Sequence, residues 1–547
     1  DTPSKPLVAE LIGGWSGLTP IWDHERSRLL VLFGTNPVVS HGHSNAIPDP
    51  VRRLREHRAR DGELWVVDPR RTETAMLADR HLQIRPGTDH VLLGHLVREL
   101  LVHGADRDYL DRHADGVDAL TAAVERFDRE HTIRRTGIDG AAIDELLAAI
   151  RRHGRVSALT GTGCSMAREA NVTEWFLWAL HVVTGSYDRP GGMWFNPGYL
   201  LQLDTRTWSP SDGQPGPGPA SRPELPRRFD EYPCAGLVDE IDAGNVHVLF
   251  VVGGNPVTAW PDEARTRRAL SALQTLVVID VVHTATTELA THVLPAAGQL
   301  ERADVPWLLD TYQLAVATQY TPAVVPPAHE RRSMWRIFAD IGRRAGVDVL
   351  PSGLPDEVDD DALVASIAAR SRGGVDAVFA ARSGTTWGDT PFGWVTERVL
   401  PDGRWRVAPA PLLAQLDELE SGRRVPDTED EPLVLVPQRR LRMMNSQLRG
   451  VAAAGGRVET VALQLHPEDA ARRSIRDAQR VTVRSIVNGG CLTAVAQLDE
   501  RVRRGTVSMP HGWDDTNVCA LTSGHIDVDP LTGMVRQSGI PIEVMPA

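Results

Sequence analysis

Short apolar runs alternate with longer amphipathic or charged stretches over the first two hundred residues. The run Leu29-Leu30-Val31-Leu32-Phe33 is uninterrupted and stops at Gly34-Thr35-Asn36-Pro37. A second run, Leu64-Trp65-Val66-Val67, stops at Asp68-Pro69-Arg70-Arg71-Thr72. Between them residues 51–60 are charged and helix-like. Continuous apolar strands joined through a helix read as a βαβ unit whose parallel sheet is covered on both faces. A further strand, Arg155-Val156-Ser157-Ala158-Leu159, ends in Thr160-Gly161-Thr162-Gly163. The spacing of Phe176, Leu180 and Val183 predicts a helix over about 171–183, broken by Gly185 and Pro190-Gly191-Gly192.

The same texture returns later. Residues 208–229 are rich in proline and glycine and predict a loop. Then Val246-His247-Val248-Leu249-Phe250-Val251-Val252 stops at Gly253-Gly254-Asn255-Pro256, and Leu276-Val277-Val278-Ile279 stops at Asp280. Gly-Thr-Asn-Pro with Asp68, and Gly-Gly-Asn-Pro with Asp280, form an internal repeat. Residues 351–430 are acidic, alanine-rich and without a motif, a connecting region. From about 431 short strands separated by Gly and Asp turns predict a small closed barrel. The expected organisation is α/β: two doubly wound Rossmann-like units (1–207 and 230–350), followed by a C-terminal β-barrel domain of double-psi type (431–547).

A buried strand ending in a small-residue turn presents backbone N–H groups to a phosphate, and an acidic residue at the next strand tip accepts from a ribose hydroxyl. Two such units imply two nucleotide ends. Composition narrows the field. The 547 residues suffice for several domains at about 150 residues each. A net charge of −13 argues against nucleic acid as the partner. No run approaches the roughly 18–20 apolar residues of a membrane span. Lys5 is the only lysine and lies in neither a phosphate-loop nor a Schiff-base context. The four cysteines, Cys164, Cys234, Cys491 and Cys519, form no paired motif, so their spacing makes no iron–sulfur or zinc-finger site in this chain. No targeting segment is present in the sequence, which starts at Asp1, and the expected location is cytoplasmic.

Several features carry less. Ser40-His41-Gly42-His43-Ser44 has two histidines at chelating spacing but no third ligand cluster, and reads as a polar loop near the ligand. Asp359-Asp360-Asp361 lacks calcium-loop spacing and reads as a solvated face. There is no nucleophile elbow.

Taken in order, these phrases resemble the molybdopterin oxidoreductases of the dimethyl sulfoxide reductase family. That family binds two molybdopterin guanine dinucleotides around one molybdenum or tungsten atom. The likeness extends through Pro86-Gly87-Thr88-Asp89, Arg189-Pro190-Gly191-Gly192, Arg439-Arg440-Leu441-Arg442 with Asn445-Ser446, and Pro510-His511-Gly512-Trp513 with Asn517. The resemblance implies roles. Gly34 and Gly253, with Thr35, Asn36, Pro37, Gly254 and Asn255, would let backbone approach pyrophosphates. Asp68 and Asp280 would hold ribose or guanine, and Pro69, Arg70 and Arg71 would neutralise phosphate. Asp89, beside Gly87, would read the guanine's donor edge. Gly161, Thr162, Gly163 and Met166 would pack against the metal-side pterin. Arg439, Arg440, Met443, Asn445 and Ser446 would donate to pterin from the barrel, with His511, Asn517, Thr284 and Gln537 as further contacts.

Two departures stand out. The family's cysteine-rich iron–sulfur domain is not in this chain, so an electron-transfer module or iron–sulfur domain outside it is implied. The metal's protein ligand falls just before Lys5-Pro6-Leu7, where Ser4 and Asp1 are candidates. The implied activity is two-electron or oxygen-atom transfer on a small-molecule substrate. A metal-free scaffold subunit, or a hydratase or transhydroxylase with the same cofactor, remain alternatives. Formate, nitrate, an S- or N-oxide and another organic molecule are all open as substrates.

Overall fold

The computed structural model describes residues 2–211, 213–354, 357–421, 432–449 and 461–547. Its first sheet has four parallel strands in the order Arg80–Leu82, Glu63–Val67, Leu29–Phe33, Ser157–Thr160. All five residues of Leu29–Phe33 are buried, as a central strand covered on both faces requires. The helix Ala170–Val183 explains why its sequence is apolar on every side: all 14 residues are buried. It packs against Asp89–Val102 and the N-terminal helix Ser4–Gly13.

The second sheet has three parallel strands, His292–Pro295, Thr275–Asp280 and Val248–Val252. The internal repeat extends well beyond the turn motif. Asn36 and Asn255 share nearly one backbone conformation (φ −127°, ψ 73° and φ −127°, ψ 75°). Each is followed by a short helical turn, then by an aspartate in the left-handed region, Asp49 or Asp262, whose carboxylate caps the next helix through Arg52 N or Arg265 N. The units differ at one edge. Leu29–Phe33 is flanked by Ser157–Thr160, whereas Val248–Val252 is an edge strand among the described residues, with Val248, Phe250 and Val252 exposed.

The C-terminal strands close into the expected barrel. Its six strands run Leu433–Gln438, Thr506–Pro510, Ala462–Leu465, Cys491–Leu498, Arg480–Ser485, Ile540–Pro546, mixing parallel and antiparallel pairs.

Some expectations shift. The strand expected from Arg155 starts at Ser157, because Arg155 N donates back to His153 O and closes the preceding helix. The strand expected from Val246 starts at Val248. Residues 351–421, anticipated as a featureless connection, carry the helices Asp360–Ala368, Gly374–Ala380, Trp394–Arg398 and Ala410–Ser421. Their side chains Trp394, Trp405, Leu412 and Leu416 complete the first unit's core. The strand Trp405–Arg406 pairs with Ala114–Asp115 across nearly three hundred residues, a contact no local pattern announces.

Candidate functional site

The C-terminal ends of both parallel sheets and one end of the barrel enclose a cleft of about 900 Å³. Ligands of open α/β sheets bind at that end of the strands. Its walls join the two repeat units: Gly34, Thr35 and Asp68 from the first, Gly253, Gly254 and Asp280 from the second.

Each glycine turn has a local cause. Gly34 N donates to Val67 O and Gly253 N to Ile279 O, which bends the chain across the tip of its neighbour. Both glycines take positive φ, 54° and 59°. A Cβ on Gly34 would lie 3.0 Å from Cys164 Sγ, whereas one on Gly253 would point into open space. Gly161 and Gly163 pack directly on the Gly34 turn, which their missing side chains allow.

Asn36 and Asn255 face the cleft, yet their carboxamides are occupied. Asn36 Oδ1 accepts from Thr74 N (3.1 Å) and Thr74 Oγ1 (2.6 Å), and Asn36 Nδ2 donates to Glu73 Oε2 (2.7 Å). Asn255 Oδ1 accepts from Thr286 Oγ1 at 2.7 Å. These asparagines staple each turn to the threonine segment that follows the next strand. Pro37 starts the helical turn below and does not line the cleft.

Four carboxylates line the cavity, those of Asp68, Asp89, Asp280 and Glu231. Burial holds the Asp68 carboxyl above its usual range, opposed by Arg70, whose N–H donates to Asp68 Oδ1 at 2.8 Å. Burial also pushes Asp89 up to about 6, and a hydrogen bond from the Cys164 thiol works against it. Asp280 ends its strand and accepts from Val281 N at 2.6 Å. Thr284 lies nearby, its hydroxyl tied to Thr287 N. Gly87 (φ 77°) sits over the Glu169 carboxylate.

The arginines divide. Arg70 lines the cleft while Nη1 donates to Gln438 Oε1 at 2.8 Å, a link between the first unit and the barrel. Arg71 does not reach the cavity: its N–H donates to Arg501 O, and Arg503 N donates to Pro69 O. The Asp-Pro-Arg-Arg turn is therefore a docking strip as well as a cleft wall. Arg439 lines the cleft, and its Nε donates to Met443 O. Arg440 and Met443 lie behind the wall, which Met444, Asn445 and Ser446 form instead. His511 faces Arg439 in the cleft. Burial, aided by that guanidinium, pulls its imidazole down to about 4, so it is neutral at pH 7. A Cβ on Gly512 would meet Asn445 O at 2.6 Å, so only glycine lets the two barrel loops touch.

Asn517 is not in the cleft. Its Nδ2 donates to Val257 O at 2.7 Å and joins the barrel to the second unit. Thr162 and Met166 line the cavity; Met166 O accepts from Gln537 N and Ser538 N, and Gln537 Nε2 donates to Ala259 O, a bridge to the second unit. Ser4 heads the N-terminal helix, its hydroxyl buried and without a hydrogen-bond partner, while its neighbours Pro3 and Pro6 line the cleft. Asp1 lies outside the described residues. His41 is exposed, and among the described residues no three metal-ligating side chains gather at one point.

Among the cleft residues that escaped the sequence reading are Gln438 and Trp260. Gln438 is a polar residue ending an apolar strand, a weak signal. Trp260 lines the second half of the cleft at the repeat position of His41, and aligning the repeat five residues further would have found it.

Residues 5–344 match the family model of molybdopterin oxidoreductases, and residues 433–541 match that of the molybdopterin dinucleotide binding domain. The F420-dependent formate dehydrogenase subunit alpha of Methanocaldococcus jannaschii is 23% identical, over 95% of this chain and 77% of that protein. The assimilatory nitrate reductase catalytic subunit of Bacillus subtilis is 25% identical, over 95% and 74%. Acetylene hydratase from Pelobacter acetylenicus has the same fold: TM-score 0.78 at 17% identity, covering all of this chain and 81% of that one. The chain belongs to the molybdopterin oxidoreductase family and is an oxidoreductase dependent on a molybdenum or tungsten molybdopterin cofactor.

Proposed function

We propose that the chain holds two molybdopterin guanine dinucleotides, one on each α/β unit, and catalyses two-electron or oxygen-atom transfer on a small molecule. The observation that carries this is the duplicated turn: two glycines at positive φ, two stapled asparagines and two strand-tip aspartates open into one cleft that the barrel closes. When bound, the cofactor supplies the metal and its two-electron chemistry.

The residues present fit such a group. Gly253 leaves open space for backbone to approach a pyrophosphate, and Gly34 lets the Gly163-Cys164 loop close on its turn at the cleft wall. Asp68 and Asp280 would accept from ribose hydroxyls, and Asp89 from guanine N–H groups. Arg70 and Arg439 place positive charge in the cleft, and neutral His511 offers one donor and one acceptor without adding charge. Ser4 Oγ, buried and unpartnered, is the described candidate for a protein ligand to the metal. Electrons would leave through an iron–sulfur module outside these residues, since Cys164 and Cys519 are buried apart from the exposed Cys234 and Cys491.

Metal and guanine content per chain tests the proposal. One molybdenum or tungsten with two guanines is expected. A single guanine, or none in a folded protein isolated from a host that makes the cofactor, overturns it.

A further inference from the structure

A second cavity, of about 610 Å³, lies across the first turn of the N-terminal helix from the dinucleotide cleft. The two spaces share a wall. Pro6 borders both; Pro3 and His43 face the cleft, while their chain neighbours Thr2 and Ser44 face the cavity. A molecule in the cavity therefore sits directly behind the residues that precede the candidate metal ligand.

One side of the wall is aromatic and aliphatic and the other is polar. Trp15 and Trp208 pack with ring centroids 4.0 Å apart beside Trp178, Leu177, Leu201 and Tyr312, while Lys5, Asn45, Thr160, Glu174 and Arg206 supply polar groups. At its mouth Trp307, Leu308 and Leu309 form an apolar lip, exposed by 51%, 76% and 47%. Leu308 belongs to the cavity wall itself. An exposed run of three large apolar residues beside the apolar side of a cavity is unusual on a protein surface and marks a place where apolar surface is captured.

Four of the polar side chains, Lys5, Thr160, Glu174 and Asn45, are paired within the protein. Lys5 Nζ donates to Thr160 Oγ1 (2.7 Å) and pairs with Glu174 Oε2 (3.4 Å), and Thr160 Oγ1 donates to the same carboxylate at 2.5 Å. Asn45 accepts from Trp22 N and donates to Pro20 O and Ser44 O. Arg206 lies at the exposed rim. A buried donor is left over: the Trp208 indole N–H has no partner among the described residues. A buried unpaired donor costs about 1–3 kcal/mol, which a ligand acceptor recovers. An anion such as formate or nitrate would instead meet the Glu174 carboxylate, a lysine already neutralised, and a space several times its size.

On the cofactor reading given above, we propose that this cavity is the substrate chamber, and that it takes an uncharged, flat aromatic molecule whose oxygen acceptor receives the Trp208 indole N–H.

The test uses the full chain as isolated, with quinoline N-oxide as the aromatic probe and sodium formate and sodium nitrate as the anions. Binding is read by saturation-transfer NMR and calorimetric titration. Saturable probe binding is expected, unaffected by either anion. Trp208→Phe, which removes only the N–H, should weaken it about five-fold, the equivalent of one ordinary hydrogen bond. Leu201→Trp, which fills the chamber, should abolish it, and unchanged melting of Trp208→Phe guards against misfolding as the cause. Absence of probe binding overturns the proposal, as does displacement of the probe by formate or nitrate, or equal binding to all three proteins. Metal and guanine are measured on the same sample. Both present with no probe binding sinks the chamber alone; probe binding without either supports the aromatic site and sinks the cofactor reading.

Discussion

At the scale of single residues, the two turn glycines do equal conformational work in unequal surroundings. Both sit at positive φ, where a Cβ costs about 1–2 kcal/mol. Gly34 adds a close contact with Cys164, while Gly253 faces open cleft. Gly34→Ala should therefore lower stability by about 2 kcal/mol and Gly253→Ala by about 1 kcal/mol in denaturant titrations. Both should reduce guanine retained per chain, Gly253→Ala because its methyl enters open space at the cleft wall and Gly34→Ala because its methyl presses on the Gly163-Cys164 backbone and shifts the turn. Equal stability losses would show that the Cys164 contact relaxes freely. Asp89 makes a prediction of a different kind. Its carboxyl is pushed up to about 6 by burial, so it is mostly neutral at pH 5 and mostly ionised at pH 7. A carboxylate accepts from guanine N–H groups better than a carboxylic acid does. The affinity of the cofactor-free chain for guanosine, which has no phosphate to titrate, should rise about ten-fold from pH 5 to pH 7. Asp89→Asn should bind weakly, with no pH dependence over that range, in NMR titrations.

At the scale of elements, the strands and their turns were legible because the information is local. Both five-residue apolar runs, Leu29–Phe33 and Val248–Val252, are strands and both Gly-x-Asn-Pro phrases turn, although only the first run is a central strand. The staples were half legible. Asn36 and Thr74 lie 38 residues apart, and only the structure shows that the asparagine's carboxamide faces its own loop and is not free for a ligand. The helix Ala170–Val183 was legible as a helix, but not as a fully buried one carrying polar groups. His181 shows what that burial costs. Its Nε2 accepts from Ala158 N at 3.0 Å, and burial pulls its imidazole down to about 3. Below pH 6.5 the unfolded chain binds a proton there and the folded chain does not. Stability is therefore lost as pH falls from 6.5 toward 3. Between pH 7 and pH 5 the wild-type chain should lose about 2 kcal/mol more than His181→Gln, whose amide oxygen can still accept from Ala158. Parallel pH profiles of the two would mean that the imidazole is protonated in the fold.

At the scale of the whole molecule, the first unit, the second unit and the barrel each own a separate apolar core. Polar contacts join them, among them Arg70 with Gln438, Asn517 with Val257 O, Gln537 with Ala259 O, and Asn171 with Asp529. These joins link residues 260 to 368 positions apart, which is why sequence pattern gave the bodies and not their docking. The cleft lies where the three meet, so a ligand filling it touches all of them. Separate cores with polar joins melt independently when little couples them. A ligand that binds only the assembled form adds RT ln(1 + [L]/Kd) to that assembly, about 4 kcal/mol at a thousand-fold excess over Kd. The cofactor-free chain should therefore unfold in more than one calorimetric transition, and the loaded chain in a single transition at higher temperature. The variant Gln438→Leu, which leaves the Arg70 guanidinium without its barrel partner, should split the transitions further in the free chain and matter less in the loaded one. Superimposable melting curves for free and loaded protein would mean that the cleft is not the place where the three bodies are held together.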